Sequence, residues 1–122
     1  MFKDEFQAVA SAAQAKVGIL NNKPLAYFVL SMLAGAFVGF AVIVAFSIGG
    51  MMTGNPMSKI VMGMAFGSAL SFVVMAGSEL FTGNNFVMTA GIAHKKIRVA
   101  DAIKLWIVCW LGNLVGSLIL AF

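Results

Sequence analysis

The stretch Gly77-Ser78-Glu79-Leu80-Phe81-Thr82-Gly83-Asn84-Asn85 decides the fold. It lies inside a run, Ile60 to Ala93, whose only charged residue is Glu79. One straight helix over that run would extend roughly 51 Å at about 1.5 Å per residue, far beyond a bilayer hydrocarbon core of about 30 Å. The quoted residues offer a break instead. Glycine and asparagine favour a left-handed or turning backbone, and the hydroxyls and amides can bond to it. The expectation is a half-helix at about 60–77, a non-helical loop at 78–84 and a second half-helix at about 85–93. Non-helical backbone at membrane depth survives only when buried in protein or facing a water-filled cavity.

The rest of the chain fits that setting. Its 122 residues are 61% hydrophobic and 10% charged, with a mean hydropathy of +1.01. Soluble domains are about 25% charged. The fold class is therefore all-α integral membrane, and soluble-cleft enzymes, disordered tails and secreted disulfide scaffolds are excluded. A lone Cys109 and a lone His94 make no disulfide and no metal cluster, so neither metal nor cofactor is expected. No charge occurs from Pro24 to Ser58 or from Leu105 to Phe122. Three spans follow, at about 25–50, at 60–93 (broken at 78–84) and at 104–122, within a membrane domain covering 23–122.

The net charge of +4 reads as topology rather than as a nucleic-acid surface. Lys3, Lys16 and Lys23 precede the first span, and Lys95, Lys96, Arg98 and Lys104 follow the second. Lys59 stands alone in the first loop. The positive-inside rule then puts the N-terminus and the 94–104 loop in the cytoplasm of a multi-pass protein of the cell (plasma or inner) membrane. Residues 1–22 form a separate amphipathic, interfacial helix. Phe2, Phe6, Val9, Ala13, Val17 and Leu20 make its apolar stripe. It is read as a lead-in helix packed on its neighbours or as a lid over a pore.

Several residues are candidates for function. An intramembrane carboxylate is a functional candidate by default, and Glu79 either accepts hydrogen bonds from the loop backbone or handles a proton or substrate. The Thr82 hydroxyl caps the loop or donates to an anion. Leu80 and Phe81 either pack or form an apolar constriction. The N-terminus of the second half-helix favours an anion. The spacings Gly35/Gly39, Gly63/Gly67 and Gly112/Gly116 mark close helix contacts, within or between subunits, and Asn113 glues helices or, less readily, lines a pore. Trp106 suits interface anchoring. No paired carboxylates, H-E-x-x-H, C-x-x-C, P-loop or G-x-S-x-G occurs, so the chain is not read as an enzyme.

Ala76-Gly77-Ser78-Glu79-Leu80-Phe81-Thr82-Gly83-Asn84 closely resembles the signature loop of the formate/nitrite transporter family, in wording nearest its nitrite branch. Leu33-Ala34-Gly35-Ala36-Phe37-Val38-Gly39 resembles that family's first helix, and Trp110-Leu111-Gly112-Asn113-Leu114-Val115-Gly116-Ser117 its third. The resemblance implies one half of an aquaporin-like inverted-repeat fold, assembled in full as a homopentamer with a pore in each subunit. It implies small monovalent anions (nitrite, formate, hydrosulfide) as substrates. It also implies that Leu80 and Phe81 form a constriction, with Thr82 as the contacting hydroxyl, Phe66 and Leu70 as apolar pore positions and Glu79 as the acidic loop residue.

Such a family member is about twice this long, and the second half would hold the pore histidine. His94 stands in the wrong place to replace it. The chain is read as a fragment or truncated product of a full channel in preference to a natural half-length protein, because its charge bias opposes insertion in both orientations. The function expected is transmembrane passage of small anions, proton-linked because a neutral acid is far cheaper to bury than a bare charge. A non-transporting membrane assembly or regulatory module, or an inactive half, is the alternative.

Overall fold

A computed structural model describes residues 2–122, so Met1 of the 1–22 segment lies outside the described residues. Their regular structure is entirely helical: α1 (Lys3–Asn22), α2 (Pro24–Met51), α3 (Ser58–Met75), α4 (Phe81–Ala93) and α5 (Val99–Ala121). Helices α2, α3 and α5 are long and apolar enough to cross a membrane. Pro24 opens α2, where its missing N–H costs nothing, and non-helical Lys23 turns the chain between α1 and α2.

The second span is broken, over a shorter stretch than the 78–84 expectation. Helix α3 stops at Met75 and α4 starts at Phe81, so Phe81, Thr82, Gly83 and Asn84 are helical. The stop is a Schellman cap. Gly77 takes φ +61°, its N–H donates to the Val74 carbonyl at 3.1 Å, and the Ser78 N–H donates to the Val73 carbonyl at 3.0 Å. Helix α5 also begins before the expected 104, at Val99. Asp101 in its first turn pairs with Arg98 at 3.0 Å and complements the helix dipole. The first half-helix is likewise shifted, from 60–77 to Ser58–Met75.

Helix α2 is the spine and packs on α5 and α3. A Cβ on Gly35 would meet the Asn113 backbone, and one on Gly116 would meet the Met32 backbone. Gly112 sits against Ser31, and Gly39 against Leu120 and Ser117. Two of the three glycine pairs thus bring α2 and α5 into backbone contact. Gly63 and Gly67 do not serve such a contact here. A Cβ on either meets nothing within 4 Å, because that face of α3 points away from α2. Gly35→Ala and Gly116→Ala are therefore expected to destabilise the fold by about 1–3 kcal/mol through overpacking. Gly63→Ala and Gly67→Ala should be neutral, or stabilising by up to about 1 kcal/mol through helix propensity. Unfolding of the four variants in micelles checks this. Equal losses at all four positions would refute the assignment.

Helix α1 packs mainly on α4. Ala13 and Leu20 join Tyr27, Met88, Ala102, Leu105 and Cys109 in one buried cluster. The apolar stripe expected on α1 holds from Ala13 to Leu20 but not at its start, where Phe2 and Phe6 are exposed. Phe6 instead stacks edge-on to Phe86 with ring centroids 6.3 Å apart, and lies 5.1 Å from the His94 ring. Helix α1 is in this structure a packed helix of the bundle.

Candidate functional site

The break between α3 and α4 forms one wall of a cleft of about 600 Å³. Leu70 and Val74 of α3, Glu79 and Leu80 of the break, Thr82 of α4 and Lys16 of α1 are among the residues that line it. The cleft exists because the chain cannot stay helical between Met75 and Phe81 and has to be held there by side chains from elsewhere.

Asn113 of α5 does most of that holding. Its amide oxygen accepts from the Phe81 N–H at 2.9 Å. Its amide nitrogen donates to the Ser31 carbonyl at 2.8 Å and to the Glu79 carbonyl at 2.9 Å. The Glu79 N–H donates to the Leu30 carbonyl of α2 at 3.1 Å. Helix α4 has no side-chain cap from its own N-cap residue, Leu80. Asn113 supplies it from another helix, and this tertiary cap moves the start of α4 forward to Phe81.

Glu79 is buried, with its side chain 7% exposed. Its carboxylate does not accept from the loop backbone, as one reading of the sequence had it. Both oxygens lie 2.6 Å from the Lys16 ammonium. The Tyr27 hydroxyl donates to it at 3.2 Å and the Asn84 amide at 2.9 Å. The reason is geometric: the N–H groups of Gly77, Ser78, Glu79 and Phe81 are taken by α3, α2 and Asn113, whereas α1 delivers a cation onto the carboxylate. The Asn84 amide nitrogen also lies 2.9 Å from the Tyr27 hydroxyl and 3.3 Å from the Cys109 sulfur. The Cys109 thiol donates to the Glu79 carbonyl at 3.2 Å.

The structure gathers Leu70, Glu79, Leu80 and Thr82 around one cleft. It does not bring Phe81 or Phe66 to the same wall. Phe81 turns to a different side of α4, into an apolar groove with Ile103, Trp106 and Trp110. Helix geometry separates neighbouring residues by about 100°, so a helical Phe81 cannot face the same way as Thr82. Phe66 lies one turn before Leu70 and is exposed. Trp106 is not a simple interface anchor, since its indole N–H donates to the Asn84 carbonyl at 3.3 Å. Lys16, Tyr27 and Asn84 were not among the site residues expected from the sequence. The signal for Lys16 is a cation set between Ala13 and Val17 of the apolar stripe of α1.

Electrostatically, the Lys16–Glu79 pair leaves the cleft with no bare carboxylate. Helix geometry leaves the Thr82 and Gly83 N–H groups without intrahelical acceptors, and both residues line the cleft. Their partial positive charge adds to the helix dipole at the start of α4.

Three helices long and apolar enough to cross a membrane, the second of them followed by a capped break and a short helix, define a multi-pass membrane protein. A family model described as formate/nitrite transporter matches residues 3–122. The nitrite transporter NirC of Escherichia coli is 38% identical over 121 residues, covering 99% of this chain and 45% of its own length. A probable formate transporter of Methanothermobacter thermautotrophicus is 39% identical, over 93% of this chain and 43% of its own. A solved FNT family ion channel superimposes with a TM-score of 0.91 at 38% identity, over 98% of this chain and 48% of that one. The chain belongs to the formate/nitrite transporter family, and it spans about half the length of the curated relatives it matches.

Proposed function

We propose that this chain forms half of a passage for small monovalent anions of the nitrite and formate type, hydrosulfide included. It works in a homopentamer of the cell membrane with the N-terminus in the cytoplasm. The observation that carries this reading is the cleft at the break. Thr82 offers a hydroxyl and the first turn of α4 offers N–H groups, while Lys16 neutralises the Glu79 carboxylate that would otherwise repel an anion. Leu70 and Leu80 give the same cleft apolar surface, against which an anion has to shed water. Passage as the neutral acid is cheapest there, so flux is proton-linked, with the proton donor outside this chain.

The test is anion uptake into proteoliposomes holding the protein as it occurs in its membrane. Thr82→Val keeps the shape and removes the hydroxyl. It is expected to lower nitrite or formate flux roughly two- to tenfold, the worth of one hydrogen bond of about 0.5–1.5 kcal/mol. Leu80→Ala is expected to change flux while leaving assembly intact. If both variants assemble and transport like the parent, the passage lies away from this cleft; if the parent itself carries no anion, the non-transporting reading takes its place. Flux independent of pH would remove the proton-linked step alone.

A further inference from the structure

A second cavity, of about 410 Å³, lies between α1 and the turn joining α4 to α5. Lys95, Lys96 and Arg98 line it from the turn, and Gln14 and Asn21 line it from α1. Asp101 is the acid among its lining residues and is already engaged by Arg98 at 3.0 Å. Lys96 donates to Ser11 of α1 at 2.6 Å, and Lys104 donates to Asn21 at 3.0 Å, so cations also tie its two walls together. The anion-passage reading makes no use of this cavity.

Lys95 is the telling residue. Helix α4 ends in a Schellman cap, with the Lys95 N–H donating to the Ile92 carbonyl and the Lys96 N–H to the Gly91 carbonyl, each at 2.9 Å. The residue after the cap takes φ +55°, the left-handed region, and is a lysine. The equivalent cap on α3 uses Gly77. A lysine here accepts backbone strain that glycine would not, and in exchange places an ammonium at the cavity.

The surroundings say what kind of anion fits. From this end α5 carries an exposed apolar stripe, Val99, Ile103, Ile107 and Trp110. A wholly apolar groove of about 430 Å³ runs between Ile103, Trp106 and Trp110. The cavity stands at the end of this membrane-spanning helix, and the stripe runs down the side of α5 turned away from Asp101. We infer that the cavity formed by Gln14, Asn21, Lys95, Lys96 and Arg98, placed at the end of a membrane-spanning helix, binds the phosphate headgroup of an anionic membrane lipid. Basic pockets at the ends of spanning helices take such headgroups, each cation contributing about fivefold in affinity.

The test uses the intact protein in detergent micelles doped with phosphatidylglycerol or phosphatidylcholine. It reads the thermal unfolding midpoint and lipid retention by native mass spectrometry. Phosphatidylglycerol is expected to raise the midpoint and to be retained, and phosphatidylcholine is not. Lys95→Gly should need about fivefold more phosphatidylglycerol for the same shift, while its lipid-free midpoint stays at or above that of the parent. That pattern separates a lost ligand contact from a lost fold. Gly18 also lines the cavity, and a Cβ there meets nothing within 4 Å, so Gly18→Leu fills the space and should abolish the shift without touching charge. Equal shifts with phosphatidylcholine, or shifts that survive both substitutions, would overturn the proposal. Glycerol phosphate, the headgroup without chains, should produce no shift at equal concentration. If it does, the pocket belongs to a soluble phosphate and not to a lipid. None of these outcomes bears on anion flux through the cleft.

Discussion

Replacing Lys16 with methionine is expected to destabilise the folded protein by about 3 kcal/mol, the low end of the range for removing one partner of a buried ion pair. The low end applies because the Lys16 side chain is 24% exposed and its partner only 7%. The loss arises from what remains. Glu79 keeps the Tyr27 and Asn84 donors, at 3.2 and 2.9 Å, but faces the cleft with an unneutralised charge. The double variant Lys16→Met/Glu79→Gln should recover most of the loss. An uncharged amide still accepts from Tyr27 and Asn84 and has no charge to desolvate. Chemical unfolding of the four members of this cycle in micelles measures it. A double variant no better than Lys16→Met would mean that the pair is not what ties α1 to the break. The same single variant also restores a bare carboxylate to the cleft, so anion uptake should fall further than the stability loss explains.

How far the sequence discloses this arrangement depends on whether a residue's partner is near in the chain. The break is readable because its stop is local: Gly77 has the backbone freedom for the left-handed cap, and its bonds go to Val73 and Val74. The restart is not readable, because its cap comes from Asn113, on another helix. Sequence spacing alone therefore runs the loop on through Asn84, where a turn-forming residue is in fact a helical hub bonded to Tyr27, Glu79 and Cys109. The glycine pairs behave the same way. Their spacing identifies helix surfaces that admit close approach. Only the packing shows that Gly35, Gly39, Gly112 and Gly116 meet partners within the chain while Gly63 and Gly67 do not. Lys16 reads as a topology charge until α1 is seen to lie on α4. Phe81 and Thr82 are adjacent in a motif whose residues look like a unit, and helical rotation sends them to different sides.

Asn113 therefore carries the second large expectation. Asn113→Ala removes an acceptor for the Phe81 N–H and donors for the Ser31 and Glu79 carbonyls. The Ser31 carbonyl keeps the bonding of its own helix and the Glu79 carbonyl keeps the Cys109 thiol, so the Phe81 N–H is the group left unsatisfied, at about 1–3 kcal/mol. Asn113→Asp separates capping from stitching. A carboxylate still accepts from Phe81 but donates nothing, and it sets a negative charge against two carbonyl oxygens. It is expected to be at least as damaging as alanine. If the aspartate variant unfolds like the parent, the cap on α4 alone holds the break, and the two bonds donated by the Asn113 amide contribute little. If both variants fall together, the break is held from α5 through all three bonds. Amide hydrogen exchange would then show 76–84 opening together in either variant, while the α2–α5 contact at Gly35 and Gly116 stays closed.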